Sequence, residues 1–200
     1  DLTHNIAIGW QAMKDSSAAT SHRNIAIGSF VMDSIGSNVA NDNIGIGYNS
    51  LTALTTGDYN VALGDHALFT VESGEVNVGV GTSALRTSTA SQNTALGGNA
   101  MYANTTGGNN VAVGHNTLDK LTIGTSNTAV GKDAMTDEVL GNGSVAIGLG
   151  SLFKQAMDGD NEVSHNTAVG GYAGYYNVTG LNNTYIGYEA GFGADGQSNS

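Results

Sequence analysis

The 200-residue chain has neither cysteine nor proline, and six Lys and Arg stand against 17 Asp and Glu, a formal net charge of −11. Without cysteine there is no disulfide scaffold and no thiolate metal site. That absence removes redox chemistry but does not locate the chain. Collagen, which needs proline and a strict three-residue glycine period, is excluded. No run approaches the ~20 apolar residues of a membrane-spanning helix, so this segment is not expected to be membrane-inserted. The acidic balance leaves no basic stripe to neutralise a phosphate backbone, and nucleic acid is not expected as a partner. The chain begins at Asp1 with no charged-then-apolar leader, which reads as a targeting segment that is removed or lies outside these residues.

Glycine is what the chain has in excess, 30 residues, and most of it is periodic. One motif recurs eleven times: Asn, a β-branched residue, Ala, Ile/Val/Leu, Gly, then a small residue at position 8 and Leu or Met at position 9. The copies start at Asn5, Asn24, Asn43, Asn60, Asn77, Asn93, Asn110, Asn127, Ser144, Asn166 and Asn183. Their position-5 glycines are Gly9, Gly28, Gly47, Gly64, Gly81, Gly97, Gly114, Gly131, Gly148, Gly170 and Gly187, most often 17 residues apart. Position 2 is β-branched and position 4 is Ile, Val or Leu in every copy.

A 17-residue period is too short for helix-pair repeats (~33 residues or more) or leucine-rich units (~20 to 29). It suits a β-solenoid of about eleven coils, each with two short strands and two turns, spanning residues 1–200 as one domain. The second strand is expected from position 8 onward, as in Ala67-Leu68-Phe69-Thr70-Val71. Asn and a second glycine three residues before the next Asn (Gly57, Gly74, Gly107, Gly124, Gly141, Gly180) read as bends, since both residue types accept left-handed angles. A stacked Asn can also bond the backbone of a neighbouring coil. Proline is missing because nearly every N–H is committed to an adjacent coil.

Strand alternation puts positions 2 and 4 on one large apolar face and positions 3 and 5 on an Ala/Gly face. Eleven coils at ~4.8 Å make a rod about 50 Å long, with few large side chains inside each coil. The Ala/Gly face is then left over. Close approach between chains needs such small residues, so three rods packed by that face, burying much of the Leu/Met row, predict a homotrimer. A monomer with that face solvated is the alternative.

The motif N-[TIV]-A-[IVL]-G-x-x-A-[LM] resembles the head repeats of YadA-like trimeric autotransporter adhesins, and more closely the NTAIGxxAL arrays of bacterial surface fibres and phage tail fibres. Asn93 to Val113, NTALGGNAMYANTTGGNNVAV, is near the ideal array. The resemblance covers essentially the whole chain. It implies a left-handed parallel β-roll, trimeric, in an extracellular fibre. The YadA-like repeat is nearer 14 residues, so strands and loops should differ. The last copies drift, with Gly174 and Gly191 at position 9 and Tyr185 at position 3, as expected near a cap or neck. Ser198-Asn199-Ser200 aligns with Asn182-Asn183-Thr184, so the sequence reads as a piece of a longer fibre.

Catalytic chemistry has little support. His4, His22 and His165 lie just before a motif Asn, and His66 and His115 hold surface-type positions 7 and 6. No Ser sits in G-x-S-x-G, and nothing selects a carboxylate pair. Asp158, Asp160 and Glu162, in the longest insertion, are the one calcium candidate, without the full twelve-residue loop. The Gly-x-Gly occurrences are repeat turns, not phosphate cradles. No cofactor is expected. Trp10, Tyr172, Tyr175, Tyr176 and Tyr188 are candidate contacts to a glycan or protein, against the alternative that they cap the roll or pack across the trimer. An ice-binding surface would need a regular Thr array, and position 2 is Thr only at Thr94, Thr128, Thr167 and Thr184. The expected function is a non-enzymatic adhesin or fibre segment on a bacterial outer surface that contacts another cell, a glycan or a matrix. The alternatives are a phage tail-fibre segment for host recognition and the stalk of a glycan-degrading tailspike.

Overall fold

The computed structural model describes residues 4–15, 21–35, 39–156 and 163–193. Each motif copy forms one three-residue strand over positions 2 to 4: β1 (Ile6–Ile8), β2 (Ile25–Ile27), β3 (Ile44–Ile46), β4 (Val61–Leu63), β5 (Val78–Val80), β6 (Thr94–Leu96), β7 (Val111–Val113), β8 (Thr128–Val130), β9 (Val145–Ile147), β10 (Thr167–Val169) and β11 (Thr184–Ile186). They make one parallel sheet in sequence order. Registration is position on position, Val61 beside Val78 and Ala112 beside Ala129, so the chain is a parallel β-solenoid. Coils are numbered 1 to 11 with their strands.

Among the described residues the expected second strand does not form; Ala67 to Thr70 is turn. Position 7 and position 9 both take left-handed angles, as at His66 (φ 56) and Leu68 (φ 52), with an ordinary residue between them. Each left-handed residue turns its N–H toward one neighbouring coil: His66 donates to the Tyr48 carbonyl behind (2.9 Å) and Leu68 to the Ala84 carbonyl ahead (3.0 Å). Coil-to-coil bonding therefore continues without an extended strand.

Position 9 shows why only certain apolar residues serve there. A left-handed residue costs about 1–2 kcal/mol, and burying a Leu or Met side chain returns about 1.5–3 kcal/mol. Leu51, Leu68, Leu85, Met101, Leu118 and Met135 are all fully buried, so burial prevails. β-Branched side chains tolerate positive φ worst, which is consistent with Leu and Met holding this row while Ile and Val hold the strands.

The interior is not the one the alternation suggested. Position 3 points inward, with Ala26, Ala62, Ala95, Ala112, Ala129, Ala146 and Ala168 fully buried, and positions 2 and 4 point out. The Ala/Gly face is thus core, not a spare face, and the Leu/Met row is buried within its own chain. The reason is width: positions 8 and 9 of the preceding coil already fill the space opposite position 3. At Gly45 an added Cβ would meet Val31 Cγ1 at 2.6 Å, and at Gly79 it would meet Leu68 Cγ at 3.1 Å. Nothing as large as Ile fits there.

The motif Asn lies inside as well, and its backbone is not left-handed; the residue before it is, as at Tyr59 (φ 59) and Val76 (φ 58). What the Asn supplies is hydrogen bonding. Asn110 Oδ1 accepts the Asn127 backbone N–H of the next coil (2.9 Å), and its Nδ2 donates to the Gly124 carbonyl at the end of its own coil (2.8 Å). The second glycine row is also not left-handed. Its cause is steric, because a Cβ on Gly57, Gly107 or Gly124 would sit 2.3 to 2.4 Å from the carbonyl oxygen of the glycine stacked on it. Position 5 needs glycine on both counts, as at Gly97, with φ 140 and the Gly114 carbonyl oxygen 2.3 Å from its missing Cβ.

The drift near the end is one exchange in three parts. Tyr185 stands where Ala usually points inward and is 5% exposed. Its ring takes the room of two absent position-9 side chains, since a Cβ on Gly174 would meet it at 2.7 Å and one on Gly191 at 2.2 Å.

Candidate functional site

Because positions 2 and 4 point out, the sheet presents a continuous apolar face along the solenoid. Of its 22 residues 18 are Ile, Val or Leu and four are Thr, with no charge among them. Leu63, Leu96, Ile147 and Ile186 are exposed, and the remaining outward residues are mostly half-buried. A contiguous face of this length exceeds the apolar patches ordinary on monomers.

The flank beside the sheet carries positions 6, 7 and 10, where in-register stacking lines like residues up. In coils 1 to 6 it forms an aromatic run. Trp10 packs edge-on against Phe30 (4.8 Å), Phe30 against Tyr48 (5.8 Å) and Tyr48 against His66 (5.6 Å), and His66 lies tilted against Phe69 (5.2 Å, 51°). The Arg86 guanidinium then lies between Phe69 and Tyr102, 5.5 and 5.6 Å from their centroids, and donates to the Tyr102 hydroxyl (2.8 Å).

In coils 9 to 11 the same flank forms a second cluster. Phe153, Tyr175 and Phe192, all at position 10, stack in a column with centroids 5.0 and 5.3 Å apart. Tyr172 leans against Tyr175 (5.8 Å, 57°), and Tyr176 meets both Tyr175 and Phe192 edge-on. Tyr188 meets Tyr172 at 81°, and its phenol pKa is raised, first by its hydrogen bond to Glu189 and then by that carboxylate's charge.

Four of the five sequence candidates, Tyr172, Tyr175, Tyr176 and Tyr188, thus come together, while Trp10 stands in the other run. Phe153 and Phe192 belong to the cluster but were not singled out by sequence; reading position 10 down the repeat finds them.

Charged groups gather beside this cluster. Asp137 sits between Lys120 (2.6 Å) and Lys154 (2.8 Å). Burial pushes its carboxyl pKa up, but the hydrogen bonds and charges of the two lysines outweigh it and the net shift is downward. Lys132 pairs with Asp133 (3.2 Å), and Lys154 Nζ lies 5.0 Å from the Phe153 ring centroid. Asp119 is raised, by burial first.

The histidines hold structural places. His4 and His165 are left-handed residues before motif positions, and His66 bonds Asp65 and the Asn49 amide (3.2 Å). Among the described residues no group of three or more His, Asp or Glu is placed to hold a metal ion. The calcium candidates Asp158, Asp160 and Glu162 lie outside the described residues. No family model, curated protein or solved structure matches the chain.

Proposed function

We propose that the chain is a non-enzymatic segment of a fibre on a bacterial surface, a left-handed β-roll assembled as a homotrimer that makes or presents contacts to another cell, a glycan or a matrix. The observation that carries this reading is the outward face of positions 2 and 4, which runs along all eleven strands and has no partner in the single chain. Two further copies fit it best. A chain of net charge −11 approaches itself most easily along the one face that bears no charge, and an identical coil rise keeps the rows in step over the whole length. Three chains around an axis bury this face from every copy, consistent with the resemblance of the motif to trimeric fibre repeats. The contact is through Ile and Val rows rather than the small-residue rows first expected.

The test is mass by light scattering on the 200-residue chain at micromolar concentration. Three times the 20.3 kDa chain mass is expected, with dissociation when Val80→Asp and Val113→Asp are combined. A stable, folded monomer overturns the assembly.

A further inference from the structure

The repeat carries a side chain at position 7 in every coil but one. The exception is Gly150, between Asp133 and Tyr172 in the row. Gly150 is buried beneath the Tyr172 ring, whose edge lies 3.1 Å from where a Cβ would stand, and a groove of about 290 Å³ runs beside it across coils 8 to 10, bounded by Lys132, Asp133, Leu149, Phe153, Tyr172 and Tyr175. Tyr172 and Tyr175 also line a second, open hollow of about 230 Å³ together with Tyr176, Glu189 and Phe192.

We infer that these adjacent hollows, which share Tyr172 and Tyr175, are a saccharide-binding site for a neutral hexose-containing glycan, with those two tyrosines as its central contacts. The inference rests on the adhesive reading above and gives it a place and a ligand class. Each hollow is at or below the lower end of small-ligand sites (~300–1,000 Å³), so each suits one small ring and the pair suits two linked rings.

The lining matches the two-sided chemistry of a pyranose. The Tyr172 ring offers apolar contact to its C–H face, and Tyr175, stacked on both faces, offers its ring edge and phenol hydroxyl. Asp133 and Glu189 offer acceptors, and Lys132 donors, to its hydroxyls. The rings are held in advance: Tyr175 is stacked between Phe153 and Phe192, so little rotamer freedom is lost on binding. Lys120, Lys132 and Lys154, half of the chain's six basic residues, stand in coils 7 to 9. They offset the surrounding acidity at this flank, leaving a locally balanced surface on an acidic rod. The aromatic run from Trp10 to Tyr102 stands apart in coils 1 to 6, lines neither hollow, and serves as the internal control.

The experiment presents galactose-, glucose- and mannose-terminated disaccharides to the 200-residue chain on an array, then titrates any binder in solution. Gly150→Asn is the principal variant. Asn occupies position 7 in coils 3, 6 and 7 (Asn49, Asn99, Asn116) with the same left-handed backbone, and at residue 150 its Cβ would press on the Tyr172 ring at 3.1 Å, so the backbone accepts it while the Tyr172 ring is displaced from the groove. Gly150→Asn and Tyr172→Ala are each expected to weaken binding roughly tenfold or more, and Trp10→Ala to leave it unchanged. No binding by any of the disaccharides, or unchanged affinity in Gly150→Asn, overturns the site. Light scattering on the same samples separates the two readings: no binding by the unsubstituted chain as an intact trimer refutes the site alone, and saccharide binding by a monomer refutes the assembly alone.

Discussion

Glu138 Oε1 accepts the backbone N–H of Gly141 at 2.7 Å, a bond that the equivalent glycine of coil 6, Gly107, makes to the Thr122 carbonyl of the following coil (3.3 Å). The same oxygen also takes the N–H groups of Val139 and Leu140. In coils 3 and 6 all three such N–H groups point at one carbonyl ahead, that of Glu72 or Thr122. In coil 8 the carboxylate supplies that acceptor where the next coil runs into its long insertion. Gln155 donates to its other oxygen at 2.6 Å, and both side chains are fully buried.

Glu138→Ala should therefore destabilise by about 3–5 kcal/mol, since each stranded N–H costs about 1–3 kcal/mol. Glu138→Leu should not rescue it, although Leu54 and Leu121 hold the same interior position in coils 3 and 7. Glu138→Gln, which keeps an acceptor, should be the mildest. Denaturant midpoints at constant m check the order.

Asn110→Gly separates hydrogen bonding from backbone freedom. If the motif Asn served a left-handed angle, Gly would be neutral. Because it instead satisfies the Asn127 N–H and the Gly124 carbonyl, Asn110→Gly and Asn110→Ala should both lose about 2–5 kcal/mol. Thermal melts with matched controls read this out.

At position 9 shape matters more than volume. Leu118 is fully buried at φ 51. Leu118→Met should cost under about 1.5 kcal/mol. Leu118→Val removes one methylene but adds β-branching at a left-handed residue, and should cost about 2–3 kcal/mol. Equal losses would contradict this account.

The end exchange predicts non-additivity. Tyr185→Ala should open a cavity and destabilise coils 10 and 11 by about 3–5 kcal/mol. Gly174→Leu alone should clash with the Tyr185 ring, and the double variant should recover much of both losses. Amide exchange in coil 10 measures the coupling.

Two aspartates should respond to pH with opposite sign. Asp137 is lowered in the folded state, so its contribution is present above the unfolded value of about 3.9 and is lost as pH falls through the folded value. Asp137→Asn should lower stability at pH 7 by well under 1 kcal/mol, with the deficit fading below about pH 3.9. Asp119 is raised by burial, so its carboxylate opposes folding at neutral pH. Asp119→Asn should raise stability at pH 7 and have no effect below about pH 3.9. Unfolding curves at pH 3 and pH 7 give both signs.

The repeat alone determined that the chain is a parallel solenoid with one coil per motif, because eleven copies at near-constant spacing can stack only like on like. Which residues share a strand face was equally legible, since alternation is a property of the strand itself. Which face is the inside was not, because a period of two pairs positions 2 and 4 without orienting them. The turn after Gly at position 5 decides that, curling Leu or Met at position 9 back over position 3 and leaving room there for Ala but not Ile. In the same way Tyr185, Gly174 and Gly191 look like decay along the sequence and become one packed unit only in three dimensions. The aromatic groove is likewise tertiary: Gly150 is one more glycine in the sequence, and only coil stacking lays the Tyr172 ring over it beside Phe153.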